Sequence, residues 1–173
     1  MANFDVSEEE SGLTFGVQHF SLVSAKSACW KCAQEINVYA VLLSTENEAF
    51  EVNGLSARGA VLLSGLSLVS DGAAAAIGRS TRDLDRQDHS WMAGTNYYMN
   101  HCAACGAKQG DFFLHAEPDG PFFLQSEGQF RGLSVTRFEI PAKFRADSAN
   151  DRTGRCLGEF FLTGAIPDDV IGE

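Results

Sequence analysis

The chain has 173 residues, 45% of them hydrophobic and 21% charged, with a formal net charge of −10 and a pI of about 4.8. That is enough for one ordinary domain with its own core, and thirteen phenylalanines against four prolines exclude a disordered composition. Negative charge of this size repels phosphate backbones, so it counts against nucleic-acid binding and suits a basic protein partner instead.

The opening Met1-Ala2-Asn3-Phe4-Asp5-Val6 has no basic start and no apolar run, so it does not read as a secretory signal. No stretch reaches the ~18 uninterrupted apolar residues of a membrane span, Leu62 to Val69 being nearest. We expect a cytoplasmic protein with no membrane partner and with reduced thiols. In that compartment a C-x-x-C pair signals metal or redox chemistry rather than a disulfide.

Residues 1–12, with Asp5, Glu8, Glu9 and Glu10, read as a flexible acidic arm. Leu13 to Phe20 alternates as a first strand does, and Ser21 to Ser24 extends it. After Cys29-Trp30-Lys31-Cys32 comes Ile36 to Leu43, β-branched and apolar, the clearest strand signal in the chain. Residues 44–94 read as an insertion. Within it, Phe50 to Val52 suits a short strand, and Val61 to Val69 suits either a buried strand or a helix. Asp71 as N-cap and Ala73 to Ile77 predict a helix to about Leu84, with Arg79 to Asp88 as its exposed continuation.

The second pair, Cys102-Ala103-Ala104-Cys105, lies between Tyr97 to Asn100 and Asp111 to Leu114, both read as strands. Glu117 to Pro121 is a turn by composition. Leu133 to Ile140 alternates as a strand, 142–158 reads as loop, and Glu159 to Leu162 as a last short strand. Between 131 and 155 six bases (Arg131, Arg137, Lys143, Arg145, Arg152 and Arg155) face three acids, the one local reversal of charge.

Four of the five cysteines form the two C-x-x-C units. Each unit is one turn that points two thiolates at the same cation, and two such turns supply the four sulfurs of a closed tetrahedral zinc site. The candidate ligands are Cys29, Cys32, Cys102 and Cys105, with Zn2+ as a structural cofactor, one per chain. Gly106 suits the left-handed conformation such a turn needs. The 69 residues between Cys32 and Cys102 are many, but loop-closure entropy rises only logarithmically. Two separate redox pairs are disfavoured, since neither opens a helix in a thioredoxin-like βαβ unit. An iron–sulfur cluster is the lesser alternative. Cys156 reads as a plain thiol.

His115-Ala116-Glu117 matches the H-x-E of zinc deaminases, but that signature continues to P-C-x-x-C, and here both cysteine pairs come first. His101 beside Cys102 is expected outside the ligand set, because four thiolates already fill it and a closed site activates no water. His19 and His89 have no partners at recognisable spacing. No nucleophile elbow, P-loop or dinucleotide fingerprint occurs, so no catalytic residue is assigned.

Tyr97-Tyr98-Met99-Asn100-His101-Cys102 through Cys105-Gly106-Ala107-Lys108-Gln109-Gly110-Asp111-Phe112-Phe113-Leu114-His115, with Cys-Trp-Lys-Cys upstream, resembles uncharacterised bacterial zinc-ribbon-like proteins. The likeness covers both cysteine turns and their flanks. It implies metal binding through the four matched cysteines and no activity.

The expected fold is α+β and β-rich: a single domain over 1–173, with a zinc-ribbon-like module from 24–43 plus 95–125. The expected function is a non-enzymatic, zinc-binding protein-interaction module of the inhibitor, immunity or adaptor type. The alternatives are a nucleic-acid-associated zinc ribbon using the basic 131–155 segment, and an enzyme whose site the sequence does not advertise.

Overall fold

The computed structural model describes residues 5–8, 12–52, 55–84, 86–124, 127–130, 132–150 and 168–170, and Cys156 and the strand expected at 159–162 lie outside them. Strands β1 (Asp5–Glu8), β2 (Leu13–Val17), β3 (Phe20–Ala28), β4 (Glu35–Val52) and β5 (Leu55–Val69) come first, then helix α1 (Asp71–Ser80). Four short strands follow: β6 (Gln87–Ser90), β7 (Thr95–Tyr98), β8 (Asn100–His101) and β9 (Lys108–Gln109). A π-helical turn (Phe112–Ala116), the single-turn helix α2 (Glu127–Phe130), β10 (Ser134–Phe138), β11 (Ala142–Asn150) and β12 (Asp168–Val170) complete the chain.

Eight strands form one sheet in the order β1-β2-β11-β5-β4-β3-β10-β12, antiparallel except for the β10–β12 pair. Both faces of its centre are buried. Val41, Leu43, Val61 and Leu63 point into a core closed by α1 through Ala73, Ala76 and Ile77. The residues between them, Ala40, Leu42, Ala60 and Leu62, point into a second core that also contains Cys29, Cys102, Leu114 and Phe122. Strands buried on both sides read as unbroken apolar runs, which is why Val61 to Val69 looked as much like helix as strand.

The fold is β-rich, as expected, but its organisation differs from the expected one. The stretch from 44 to 69 is no insertion: β5 pairs with both β4 and β11 at the middle of the sheet. The cysteine turns attach to this sheet rather than forming a body of their own. Asp5–Glu8, expected in a loose arm, pairs with β2 in register Val6↔Phe15. The first strand is broken at Gln18 and His19 into β2 and β3. Residues 142–150, read as loop, form β11, whose buried Ala142, Phe144 and Ala146 alternate with polar residues. Two of those three are alanines, too small to make the alternation conspicuous.

Helix α1 is shorter than expected, and its N-cap residue is Ser70 with Asp71 in the first turn. It stops because Thr81 turns extended (φ −151°), and the Thr81 hydroxyl accepts the Asp83 N–H at 3.0 Å. The strand expected over Asp111 to Leu114 is the π-helical turn instead. Gly120 closes it so tightly that a Cβ there would lie 2.7 Å from the carbonyl oxygens of Phe113 and Leu114.

Gly65 is the most constrained point of β5. It sits at φ +64°, and a Cβ would meet the Asp147 carboxylate at 2.5 Å. Gly65→Ala is expected to destabilise the fold by about 1–3 kcal/mol, read from denaturant midpoints.

Candidate metal centre

The first cysteine turn is the tip of the β3–β4 hairpin, just beyond the last pair Ala28↔Glu35. The second is the tip of the small β8–β9 hairpin, just beyond His101↔Lys108. The two are built alike. The Cys29 N–H donates to Gln34 O at 2.9 Å and the Ala33 N–H to Cys29 O at 2.8 Å. Correspondingly, the Cys102 N–H donates to Ala107 O at 2.9 Å and the Gly106 N–H to Cys102 O at 2.8 Å. The residue after each second cysteine is left-handed: Ala33 at φ 59° and Gly106 at φ 70°.

Only one of those two positions carries the residue that takes this conformation without strain. Gly106→Ala is expected to cost about 1 kcal/mol and Ala33→Gly to stabilise by somewhat less, because glycine also loosens the unfolded chain. Opposite signs in paired denaturant melts are the check.

The turns face each other across the end of the sheet. Cys29 Sγ lies 3.7 Å from Cys105 Sγ, and Cys32 Sγ lies 3.7 Å from Cys102 Sγ. All four sulfurs fall within 4.8 Å of one another, and no other metal-ligating cluster occurs among the described residues. All four residues singled out from the sequence are thus brought together, in a set that fits a metal ion. Cys29 and Cys102 are buried in the second core, while Cys32 and Cys105 are exposed.

The thiols of Cys29 and Cys105 are shifted in opposite directions. The Cys32 N–H, with help from the Lys31 N–H and the Cys32 and Cys102 thiols, outweighs burial and lowers the Cys29 thiol to about 6. At Cys105 the Ala107 N–H pulls the other way, but burial and the sulfurs of Cys32, Cys102 and Cys29 together push the thiol up.

Several side chains that sequence reasoning passed over fix the two turns to each other and to the sheet. Buried Gln109 donates through Nε2 to Cys29 Sγ at 3.4 Å and to Ala107 O at 2.9 Å, tying one turn's sulfur to the other turn's backbone. Trp30 Nε1–H donates to Lys108 O at 2.7 Å, again across the turns. Asn100, 1% exposed, accepts the Tyr39 N–H at 2.7 Å and donates to Tyr39 O at 2.9 Å, acting as one rung of a strand beside β4. A possible signal was their placement: Asn100 and Gln109 are uncharged polar residues flanking the second cysteine pair at β8 and β9.

His101 is buried, with Nε2 3.4 Å from the Asp88 carboxylate, and it stands outside the sulfur cluster. The His89 N–H first, then His101 and Lys108, hold the Asp88 carboxyl below its usual range. His89 pairs with Asn96 at 2.9 Å. His115 lies 5.0 Å from the Phe122 ring, and burial lowers its imidazole to about 4. Among the described residues, no metal-ligating group forms around it.

Asp111 anchors the segment after the second turn. Its carboxylate accepts the Gly65 N–H at 2.7 Å, and its own N–H donates to the Tyr97 hydroxyl at 3.1 Å. Burial raises the carboxyl to about 7; the Gly65 N–H opposes this and the Asp147 charge adds to it. Between its ordinary 3.8 and about 7 the folded state therefore holds a proton that the unfolded state lacks. Stability from this group is full below the lower value and is lost as pH rises through the upper one. Asp111→Asn keeps the acceptor and removes the charge. Its stability relative to wild type is expected to grow from about pH 4 to pH 7 and to level off above that, measured in urea with metal present.

No protein-family model, curated protein or solved structure matches the chain.

Proposed function

We propose that the protein is a non-enzymatic, zinc-ribbon-like interaction module whose four cysteines hold one structural Zn2+ and whose acidic surface receives a basic protein partner. The observation that carries the metal reading is the closed set of sulfurs. A tetrahedron of thiolates at the usual Zn–S distance of about 2.3 Å has S···S edges of about 3.8 Å. The two cross-turn pairs stand at 3.7 Å. Soft thiolates in a tetrahedron favour zinc among common ions, and four protein ligands leave no position for a reacting water.

The interaction half of the proposal rests on charge and on the form of the site. The net charge is −10, and the metal ties together turns that carry exposed side chains. Among the described bases of the 131–155 segment, Arg137 pairs with Glu139 and Arg145 donates to the Thr14 hydroxyl. The experiment is affinity capture with metal-loaded and metal-stripped protein. A stoichiometric protein partner that is lost on stripping supports the proposal. Capture of nucleic acid that weakens steeply with salt, or turnover of a substrate, contradicts it.

A further inference from the structure

Five large apolar side chains are exposed among the described residues: Trp30 (71%), Trp91 (86%), Met92 (72%), Phe112 (50%) and Phe113 (55%). All five belong to the cysteine-turn end. Trp30 is in the first cysteine turn, Trp91 and Met92 lie in the turn between β6 and β7, and Phe112 and Phe113 open the π-helical turn after the second pair.

Contacts connect Trp30, Trp91 and Phe113 to the stretch from Lys108 to Gly110. Trp30 Nε1–H donates to Lys108 O, and Lys108 Nζ donates to His89 O at 2.8 Å. The His89 ring meets Trp91 edge-on with centroids 4.7 Å apart. Phe113 lies beside Gly110, its ring 3.7 Å from where a Cβ would stand, and crosses Phe112 edge-to-face at 5.6 Å.

Scattered exposed apolar residues need no explanation. A group steadied by hydrogen bonds and ring contacts while facing solvent is different. Together the four aromatic rings expose on the order of 600 Å2, an area comparable with one partner's share of a standard interface. Rings already held in place lose little freedom on binding, and tryptophan is among the residues that most often dominate interface energies.

Charge selects the occupant. The chain carries −10, so a second copy or a polyanion would meet like charge. Glu117 and Asp119 follow the two phenylalanines, whereas Asp88, in the hairpin that carries Trp91, is already paired with His101 and Lys108. Indole faces attract Lys and Arg cations. We propose that this rim is a docking surface for a basic polypeptide segment whose Lys and Arg side chains seat on Trp30 and Trp91. The proposal deepens the interaction reading above and rests on it.

The test uses metal-loaded full chain and a fluorescein-labelled deca-arginine peptide, read by fluorescence anisotropy. The comparison is with Trp91→Ala/Met92→Ala and with Glu117→Gln/Asp119→Asn. Trp91 and Met92 are among the most exposed side chains, so metal content and melting midpoint should stay at wild-type values. The expected result is wild-type binding that weakens by about tenfold or more in the first variant and to a lesser degree in the second. Peptide binding that the Trp91→Ala/Met92→Ala variant retains in full overturns the surface and leaves the interaction reading standing. No peptide binding by wild type overturns the basic partner, while metal-dependent capture still decides the reading itself. Tighter binding of a labelled oligo-dT than of the peptide, or self-association that the first variant abolishes, overturns the choice of occupant.

Discussion

Replacing Cys32 and Cys105 together with serine is expected to cost several kcal/mol of folding stability in the presence of zinc. Metal binding and folding are linked, at about 10–16 kcal/mol in zinc-finger peptides. The loss here should be smaller, because the core under α1 contains none of the four cysteines. A bound metal would add to the hold of the second cysteine turn on the first, which the Trp30 and Gln109 hydrogen bonds already make, and through it to the cover of Leu114 and Phe122 over the second core. Both substituted residues are exposed, so the loss cannot be assigned to missing core volume. Adding a chelator should lower wild-type stability towards that of the variant and leave the variant unmoved. Equal denaturation midpoints for wild type and variant, with zinc present, would refute a structural metal site.

Asn100→Ala is the second large effect. The Asn100 side chain satisfies both the N–H and the C=O of Tyr39. Over Ile36 to Val41, β4 is paired with β3 on one side only, since its pairing with β5 begins at Leu42↔Leu62. Asn100 therefore stands where the next strand would. Its removal leaves a donor and an acceptor without partners beside a buried side chain, at about 1–3 kcal/mol for each group left unsatisfied. We expect a loss of about 2–4 kcal/mol and much faster hydrogen exchange at the Tyr39 amide. Normal exchange at Tyr39 would show that the amide has another partner.

The ligand set was legible because thiolate chemistry imposes its own spacing. A turn that aims two sulfurs at one ion is written C-x-x-C whatever surrounds it. Central strands were legible where branched apolar residues run together, as in Ile36 to Leu43. Pairing order was not, because β11 joins β2 to β5 only through contacts distant in sequence. The same non-locality made the central hairpin look like an insertion between cysteines. Asn100 and Gln109 were missed for another reason: nothing in an uncharged polar residue announces that it will be buried, and their roles depend on what the folded chain sets beside them. The π-helical turn was hidden by Phe112-Phe113-Leu114, which reads as a strand until Gly120 is seen folded against it.

The most direct measurement is metal analysis of the purified chain, paired with cobalt substitution. The account predicts one zinc per chain, and a cobalt form with the intense visible bands of a tetrahedral four-thiolate site. Those bands should be lost in Cys32→Ser/Cys105→Ser. Well under one zinc per chain, iron with inorganic sulfide in its place, or a weak octahedral cobalt spectrum would contradict it.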